Sequence, residues 1–153
     1  MLTKKAKYGL KALLALARLY GQVEVMGIGE IAEKERIPLK FLEAILLELK
    51  SGGWLFSKRG RLGGYALALP PEAINLGAVL RELGGPFAPV PCVSKHSYEP
   101  CEECVDQEHC GIRVVMKEAR DAMAAVLDNT TLADVLLKER EPVPTGSRDM
   151  YFI

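Results

Sequence analysis

Four cysteines lie close together in a proline-containing stretch of the second half of the chain. They are Cys92, Cys101, Cys104 and Cys110, in the pattern C-x8-C-x2-C-x5-C. Thiolates in such a group can hold an iron–sulfur cluster, which takes four ligands that are mostly cysteine, or a tetrahedral zinc ion. They can also stay free as thiols that oxidise to a disulfide. The spacing favours a cluster and zinc about equally, with redox thiols third.

A second group of residues that could bind a ligand is a basic hairpin with glycines at its tip. Trp54 to Phe56 is predicted as one strand and Tyr65 to Leu69 as the other. Glycines at 60, 63 and 64 are expected to supply the positive φ angles of a tight tip. Three cations then project into solvent or onto a polyanion. The residues predicted to contact nucleic acid here are Lys58, Arg59, Arg61, Gly63, Gly64 and Tyr65.

The overall charge conceals a division between the two halves of the chain. The 153 residues have a formal net charge of zero, but residues 1–70 hold 12 Lys/Arg and 6 Asp/Glu, whereas residues 71–153 hold 8 and 14. A basic half beside an acidic half indicates that only the first half meets a polyanion. No apolar run is long enough for a membrane span, and no signal peptide is evident. A cytoplasmic location with reduced or metal-bound cysteines is therefore expected.

The first half must position the basic hairpin, and its apolar periodicity predicts three helices. They cover residues 3–20, 27–35 and 38–50, and the third has a buried stripe spaced i, i+3, i+4, i+7. Helix, short helix, turn, helix and hairpin is the order of a winged helix-turn-helix, whose third helix enters the major groove. The exposed face of that helix is predicted to read bases through Leu39, Lys40, Phe41 and Glu43. Lys40 suits guanine or phosphate, Glu43 suits cytosine N4, and the apolar pair suits thymine methyls.

The second half is predicted to contain a linker helix, the cysteine loop, a long helix and a tail. The long helix begins at Gly111, and its sustained apolar stripe favours a partner helix from a second copy of the chain. Packing against the first helix of the same chain is the alternative, and the two do not exclude each other. Thr130 or Thr131 is expected to cap a last short helix. The predicted fold class is mainly α (α+β), a winged helix-turn-helix with a two-stranded wing plus a long dimerisation helix. The predicted divisions are DNA-binding domain 1–69, linker helix 70–83, sensor loop 84–110, dimerisation and C-terminal helices 111–140, and flexible tail 141–153.

These motifs resemble the winged-helix transcription regulators of the Rrf2 family. The resemblance covers about nine-tenths of the chain, from Leu2-Thr3 and Tyr8 to Thr131-Leu132-Ala133-Asp134-Val135-Leu136. Its central part consists of Ile31-Ala32, Phe41-Leu42-Glu43, Ser57-Lys58-Arg59-Gly60 and Gly63-Gly64-Tyr65. The resemblance implies a cytosolic homodimer that binds palindromic operator DNA and mostly represses transcription.

The family's cluster-binding members carry three cysteines, of which the last two are separated by five residues. Cys104 and Cys110 match that pair and Cys92 matches the first, which leaves Cys101 as an additional thiol. The family's iron–sulfur regulators use a histidine three residues further on, where this chain has Arg113. Its nitric-oxide sensors use an acidic residue near the N-terminus, where this chain has Tyr8 or a neighbouring lysine. The resemblance therefore implies a 2Fe–2S or 4Fe–4S cluster with Cys101 as a candidate fourth ligand. His96 and His109 are weaker candidates for that position, and zinc stays open.

The chain ends on an apolar group, Met150-Tyr151-Phe152-Ile153, after a polar stretch. It resembles the C-terminal tails of serine acetyltransferases, which end in isoleucine and dock into cysteine synthase. The family's cysteine-metabolism regulators respond to cysteine supply through that enzyme. The alternative function is thus a cysteine-metabolism regulator that binds cysteine synthase through Tyr151, Phe152 and Ile153. The cysteines would then hold structural zinc or act as redox thiols. Packing of the tail against the dimer is the competing interpretation.

An enzyme is not expected, because no catalytic constellation accompanies a plausible nucleophile. The hairpin glycines also lack the strand-to-helix context of a nucleotide-binding loop. The sequence therefore predicts a dimeric DNA-binding regulator that senses redox, iron–sulfur or cysteine status through a cysteine-ligated centre. The alternative from another functional class is an interaction module in which a zinc ion has only a structural role.

Overall fold

A computed structural model describes residues 2–22 and 24–141 of the chain. Within these ranges it has six α-helices, one two-stranded antiparallel sheet and two short 3-10 turns, at Pro71–Ala73 and Pro91–Val93. The elements are α1 Lys4–Arg18, α2 Ile28–Glu35, α3 Leu39–Ser51, β1 Leu55–Lys58, β2 Gly64–Leu67, α4 Leu76–Gly84, α5 Gly111–Asp128 and α6 Leu132–Glu139. In these residues no helix is long and apolar enough to cross a membrane.

The first three helices form the predicted helix-turn-helix unit, and their bounds agree with the sequence prediction to within two residues. Thr3 caps α1 by accepting a hydrogen bond from the Ala6 N–H at 3.1 Å. The turn between α2 and α3 passes through Arg36, which has a left-handed backbone with φ of 53°. The apolar stripe of α3 is buried against α1 and α2 and consists of Leu42, Ile45, Leu46 and Leu49.

β1, β2 and the turn that joins them form the wing. Leu55 pairs with Leu67 and Lys58 pairs with Gly64, so the hairpin lies where the sequence predicted it. The backbone of Met26 pairs with that of Tyr65 on the other edge of β2 through two N–H···O hydrogen bonds, with nitrogen-to-oxygen distances of 2.9 and 2.8 Å. The segment before α2 therefore anchors the wing to the helical core, a contact that the sequence analysis missed.

The prediction of positive φ at all three wing glycines was wrong for two of them. Gly60 has φ of +113°, but Gly63 and Gly64 do not occupy this region. Both are instead placed where a side chain would collide with backbone. A Cβ on Gly63 would lie 2.3 Å from the Lys58 carbonyl oxygen, and one on Gly64 would lie 2.3 Å from the Met26 carbonyl oxygen. Close approach, and not backbone conformation, explains these two glycines.

The linker helix α4 starts later than predicted. Residues 71–73 form a 3-10 turn, Ile74 is buried, and the Asn75 side chain caps α4 by accepting from the Ala78 N–H at 3.0 Å. Ile74 and Asn75 are extended, and the backbone on either side of the Asn75–Thr131 bridge pairs with the start of α6. Leu132 N–H donates to the Ile74 carbonyl at 3.0 Å, and Leu76 N–H donates to the Thr130 carbonyl at 2.8 Å.

α5 has the predicted bounds but projects away from the core. It packs against α4 and the Pro91–Val93 turn, and none of its residues is buried. Arg81 of α4 holds its C-terminal end through a two-pronged ion pair with Asp128 at 2.6 and 2.7 Å. α6 then begins with a capping box between Thr131 and Asp134, so Thr131 and not Thr130 is the cap.

Candidate nucleic-acid interface and cysteine loop

The outer face of α3 presents the four side chains that were predicted to read bases. Leu39, Lys40, Phe41 and Glu43 are all exposed, while the opposite face of the helix forms the core. Tyr8 of α1 packs edge-to-face against Phe41, with ring centroids 6.2 Å apart. An aromatic pair in this arrangement restricts the Phe41 ring. The face therefore combines one positioned aromatic side chain, one cation and one anion.

The wing presents two of its three predicted cations freely. Arg59 and Arg61 are exposed, and neither has a carboxylate within ion-pair distance in residues 2–22 and 24–141. Lys58 instead pairs with Glu24 at 2.7 Å. Glu24 lies beside the Met26 bridge, so tertiary structure and not sequence spacing brings it to Lys58. Gly63, Gly64 and Tyr65 shape and anchor the wing through the close contacts described above.

All four cysteines line one open cleft of about 750 Å³, here called the cysteine cleft. Cys101 is exposed and the other three thiols are partly exposed. Cys104 donates a weak hydrogen bond to the Asp106 carbonyl, with sulfur and oxygen 3.4 Å apart. Partial desolvation, together with the neighbouring Cys110 thiol, raises the pKa of Cys104. The four sequence-predicted ligands thus line the same cleft.

The donor set of this cleft fits a thiolate-held centre by its chemistry. Four soft sulfur ligands suit zinc or an iron–sulfur cluster. The side chains do not form a closed site, because among the residues that the structure describes no three His, Cys, Asp or Glu groups lie close enough to hold a metal ion. The ligand set therefore stays a prediction. Loop 85–110 has only one 3-10 turn, so little secondary structure constrains its cysteines.

The alternative fourth ligands lie elsewhere. His109 is exposed and bonded to Asp106 at 2.8 Å, and this bond lowers the pKa of the Asp106 carboxyl. His96 lines a separate small cavity beside Arg81 and Phe87. Arg113, at the position of the family's histidine ligand, lines the cysteine cleft and donates to the Gln107 carbonyl at 3.2 Å. Of the candidates, Cys101 is the one that shares a cleft with the other three thiols.

The fold and the exposed α3 face define the class of the protein, a winged helix-turn-helix DNA-binding protein. The model of the Rrf2 family, described as an iron-dependent transcriptional regulator, matches residues 2–138. The chain belongs to this family. Its relatives are transcriptional regulators and not enzymes, and this protein is a regulator of the same kind.

Three relatives illustrate how similar the chain is to other members of the family. An rrf2-like HTH-type regulator of Rhodobacter capsulatus is 41% identical over 138 residues, which are 89% of this chain and 92% of that protein. The HTH-type regulator NsrR of Geobacillus kaustophilus is 38% identical over 88% of both chains. The structure of CymR, the global cysteine regulator of B. subtilis, superimposes with a TM-score of 0.74 at 31% identity. That superposition covers 90% of this chain and 97% of CymR.

The predicted cysteine synthase contact lies outside the described residues. Tyr151, Phe152 and Ile153 follow the last described residue, Glu141. Docking through this tail stays a prediction. Deletion of Ile153 should abolish co-purification with cysteine synthase if it is right, and unchanged co-purification would contradict it.

Proposed function

We propose that the chain acts as a homodimeric repressor that binds palindromic operator DNA and responds to an iron–sulfur cluster held by the cysteine loop. The observation that carries the proposal is the cysteine cleft itself. Four thiols line one cleft, and the last of them, Cys110, is the residue that precedes the first turn of α5. A change in the ligation of the loop therefore acts directly on the helix proposed to join the two copies.

DNA binding is assigned to α3 and the wing. The exposed side chains of α3 provide base contacts, and Arg59 and Arg61 provide phosphate contacts that are independent of sequence. A palindromic site needs two such units about one helical turn apart. The second unit comes from a second copy, for which the uncovered apolar stripe of α5 is the proposed contact. This stripe includes Ile112, Val115, Met123 and Val126, all exposed.

Hydrogen bonds made by side chains connect the loop to the DNA-binding unit. Arg120 of α5 donates to the carbonyl of Val93, beside Cys92, at 2.5 Å. The Arg81–Asp128 pair joins α5 to α4, and Glu82 of α4 accepts from the Trp54 indole at the base of the wing at 2.5 Å. When bound, a cluster supplies a centre that can change oxidation state or be lost. A coupling of about 1–3 kcal/mol between the two sites is enough for regulation.

The test of the sensor is metal analysis of protein purified without oxygen. Iron and sulfide in matching amounts, with broad absorption between roughly 300 and 500 nm, support the cluster. Cys101→Ser should then reduce the bound iron, while His109→Ala should leave it unchanged. A colourless protein with stoichiometric zinc, or one without metal, contradicts the cluster assignment.

The test of the DNA interface compares two variants at several salt concentrations. Arg59→Ala with Arg61→Ala should weaken binding to every sequence. The slope of the logarithm of the binding constant against the logarithm of the salt concentration should become less steep by about 2, since each lost phosphate contact contributes about 0.9. Glu43→Ala should instead change the preferred base at one position, with a discrimination of about 1–3 kcal/mol. Lys138→Ala with Arg140→Ala removes the same charge from the end of α6 and should leave DNA binding unchanged. Parent-like binding by the first two variants would contradict the interface.

A further inference from the structure

The cysteine loop has two sides of opposite charge. Glu99, Glu102 and Glu103 line the cysteine cleft beside Cys101. On the other side, Cys92 and Cys110 also line a second, smaller opening of about 320 Å³, here called the basic cleft. Its cations are Arg113, Lys117 and Arg120, and Glu108 is the one carboxylate among its described lining residues. Cys92 and Cys110 thus line both clefts and share the second with three cations, whereas Cys101 lines only the cleft with the carboxylates, where Arg113 is the one cation among the described lining residues.

The cations of the basic cleft share one face of α5. Arg113, Lys117 and Arg120 are spaced i, i+4 and i+7, which places them on the same side of a helix. Cys110 immediately precedes the helix, three residues before Arg113. None of these three residues belongs to the apolar stripe that is assigned to the second copy, and all residues that line the basic cleft come from one chain. The cleft is therefore a feature of one chain and does not depend on the dimer contact.

The three cations are not equally engaged. Arg120 is committed to the Val93 carbonyl and to Asp121, from which it is 2.6 Å away. Arg113 uses one nitrogen on the Gln107 carbonyl at 3.2 Å, and a guanidinium has five N–H donors in all. Lys117 has no carboxylate within ion-pair distance in the part of the chain that the structure describes. Lys117 and the remaining donors of Arg113 are available to an anion.

We propose that, in the metal-free protein, Cys92 and Cys110 form mixed disulfides selectively with small anionic disulfides, the oxidised dimers of carboxylate-bearing thiols. Lys117 and Arg113 bind the carboxylates, and a cysteine sulfur attacks one sulfur of the small disulfide. A new sulfur–sulfur bond forms and the original one breaks. The other half leaves as a thiolate with the electron pair and takes the proton given up by the protein thiol. No further oxidant is required.

The test uses the full-length chain, freed of metal by a chelator, with Cys104→Ser to stop that thiol from displacing an adduct on Cys110. Glutathione disulfide is the anionic probe and 2-hydroxyethyl disulfide is the neutral one. Peptide mass spectrometry gives the modification rate of each cysteine with each probe. The anionic-to-neutral rate ratio is the measured quantity, because the reactivity of each thiol cancels within it.

The ratio should be higher at Cys92 and Cys110 than at Cys101 by about three- to tenfold at low salt, the range expected for two exposed charge pairs. The difference should shrink in 0.5 M salt, because exposed charges are screened. Arg113→Gln with Lys117→Gln should lower the ratio at Cys92 and Cys110 to that of Cys101. Lys117→Arg, which keeps the charge, should preserve it.

A second double variant tests the carboxylates that line the cysteine cleft beside Cys101. Glu102→Gln with Glu103→Gln should raise the ratio at Cys101 more than at Cys92 or Cys110, because those two thiols line both clefts. Equal ratios at Cys101, Cys92 and Cys110 in the parent would overturn the proposal, as would an unchanged ratio in the Arg113→Gln, Lys117→Gln variant. Because these rates are measured without metal, they do not depend on whether the cluster assignment is right.

Discussion

Helices α3 and α5 have similar apolar stripes in the sequence but opposite environments in the fold. In α3 the stripe is almost inaccessible, since Leu42, Leu46 and Leu49 are fully buried. In α5 no residue is buried, and Ile112 and Val126 are 71% and 64% exposed. An amphipathic pattern therefore shows that a helix face needs a cover, but it does not show which molecule provides the cover.

The difference follows from what surrounds each helix. α1, α2 and β1 all contact α3 and enclose its stripe within one chain. α5 has α4 on one side and the Pro91–Val93 turn on another, and these leave the stripe in solvent. The DNA-binding unit is thus complete in one chain, whereas α5 leaves an apolar face for the proposed second copy.

The largest expected effect tests the buried stripe of α3. Leu46→Ala should lower the free energy of unfolding by about 2–5 kcal/mol, because it removes buried methyl groups and leaves a cavity. Leu47→Ala, at the adjacent exposed position, should change it by less than about 0.5 kcal/mol. Urea unfolding measures both. The two losses should not depend on protein concentration, and similar losses at Leu46 and Leu47 would contradict the assigned register of α3.

The next effect tests the exposed stripe of α5. Val115→Asp should weaken the dimer at least about tenfold, since it places an unpaired charge in an apolar contact. The fold of each chain should persist, because Val115 is not part of the core. Sedimentation velocity measures the mass and circular dichroism measures the helix content. The control is Leu62→Asp, which makes the same kind of change at an 88% exposed site on the wing. An unchanged dimer in the Val115→Asp variant would remove α5 from the interface.

A smaller effect compares how the helices begin. α6 begins with the Thr131–Asp134 capping box, whereas α5 begins at Cys110 without a side-chain cap. Thr131→Ala should therefore destabilise the chain by about 1 kcal/mol. Thr130→Ala is the matched control, because the Thr130 hydroxyl donates to the Val126 carbonyl and caps no helix start. Thermal unfolding should shift for the first variant and hardly at all for the second. Equal shifts would contradict the capping assignment.

The smallest effect concerns pH. Hydrogen bonds from the backbone and hydroxyl of Thr131 lower the pKa of the Asp134 carboxyl. A carboxyl whose pKa is lowered by folding stabilises the protein above its ordinary pKa of about 4. That contribution disappears as the pH falls through the lower folded value. Asp134→Asn should therefore reduce the loss in free energy of unfolding between pH 7 and pH 3, measured by urea unfolding at a series of pH values. An unchanged loss would show that the capping box makes no pH-dependent contribution to stability.

Local patterns predicted most of the fold but not the contacts between distant segments. The bounds of α3 and α5 followed from apolar spacing, and the wing followed from its glycines and cations. The late start of α4 was missed because Ile74 and Asn75 are extended and pair with the start of α6, far away in the chain. Glu24 was missed as the partner of Lys58 for the same reason. The basic cleft was missed because its cations lie on α5 and its thiols on a loop.

The sequence by itself determined the class of the protein, the order of its elements and the presence of four thiols in one loop. These depend on residue types at short range, where helix and hairpin periodicity dominate. Tertiary structure decided which wing cations are free, which glycines are needed for close packing, and which thiols lie among cations. The Lys58–Glu24 pair, the close approach of Gly64 to Met26 and the position of Cys92 beside α5 each depend on groups many residues apart in the chain. Only the packed core fixes such distances.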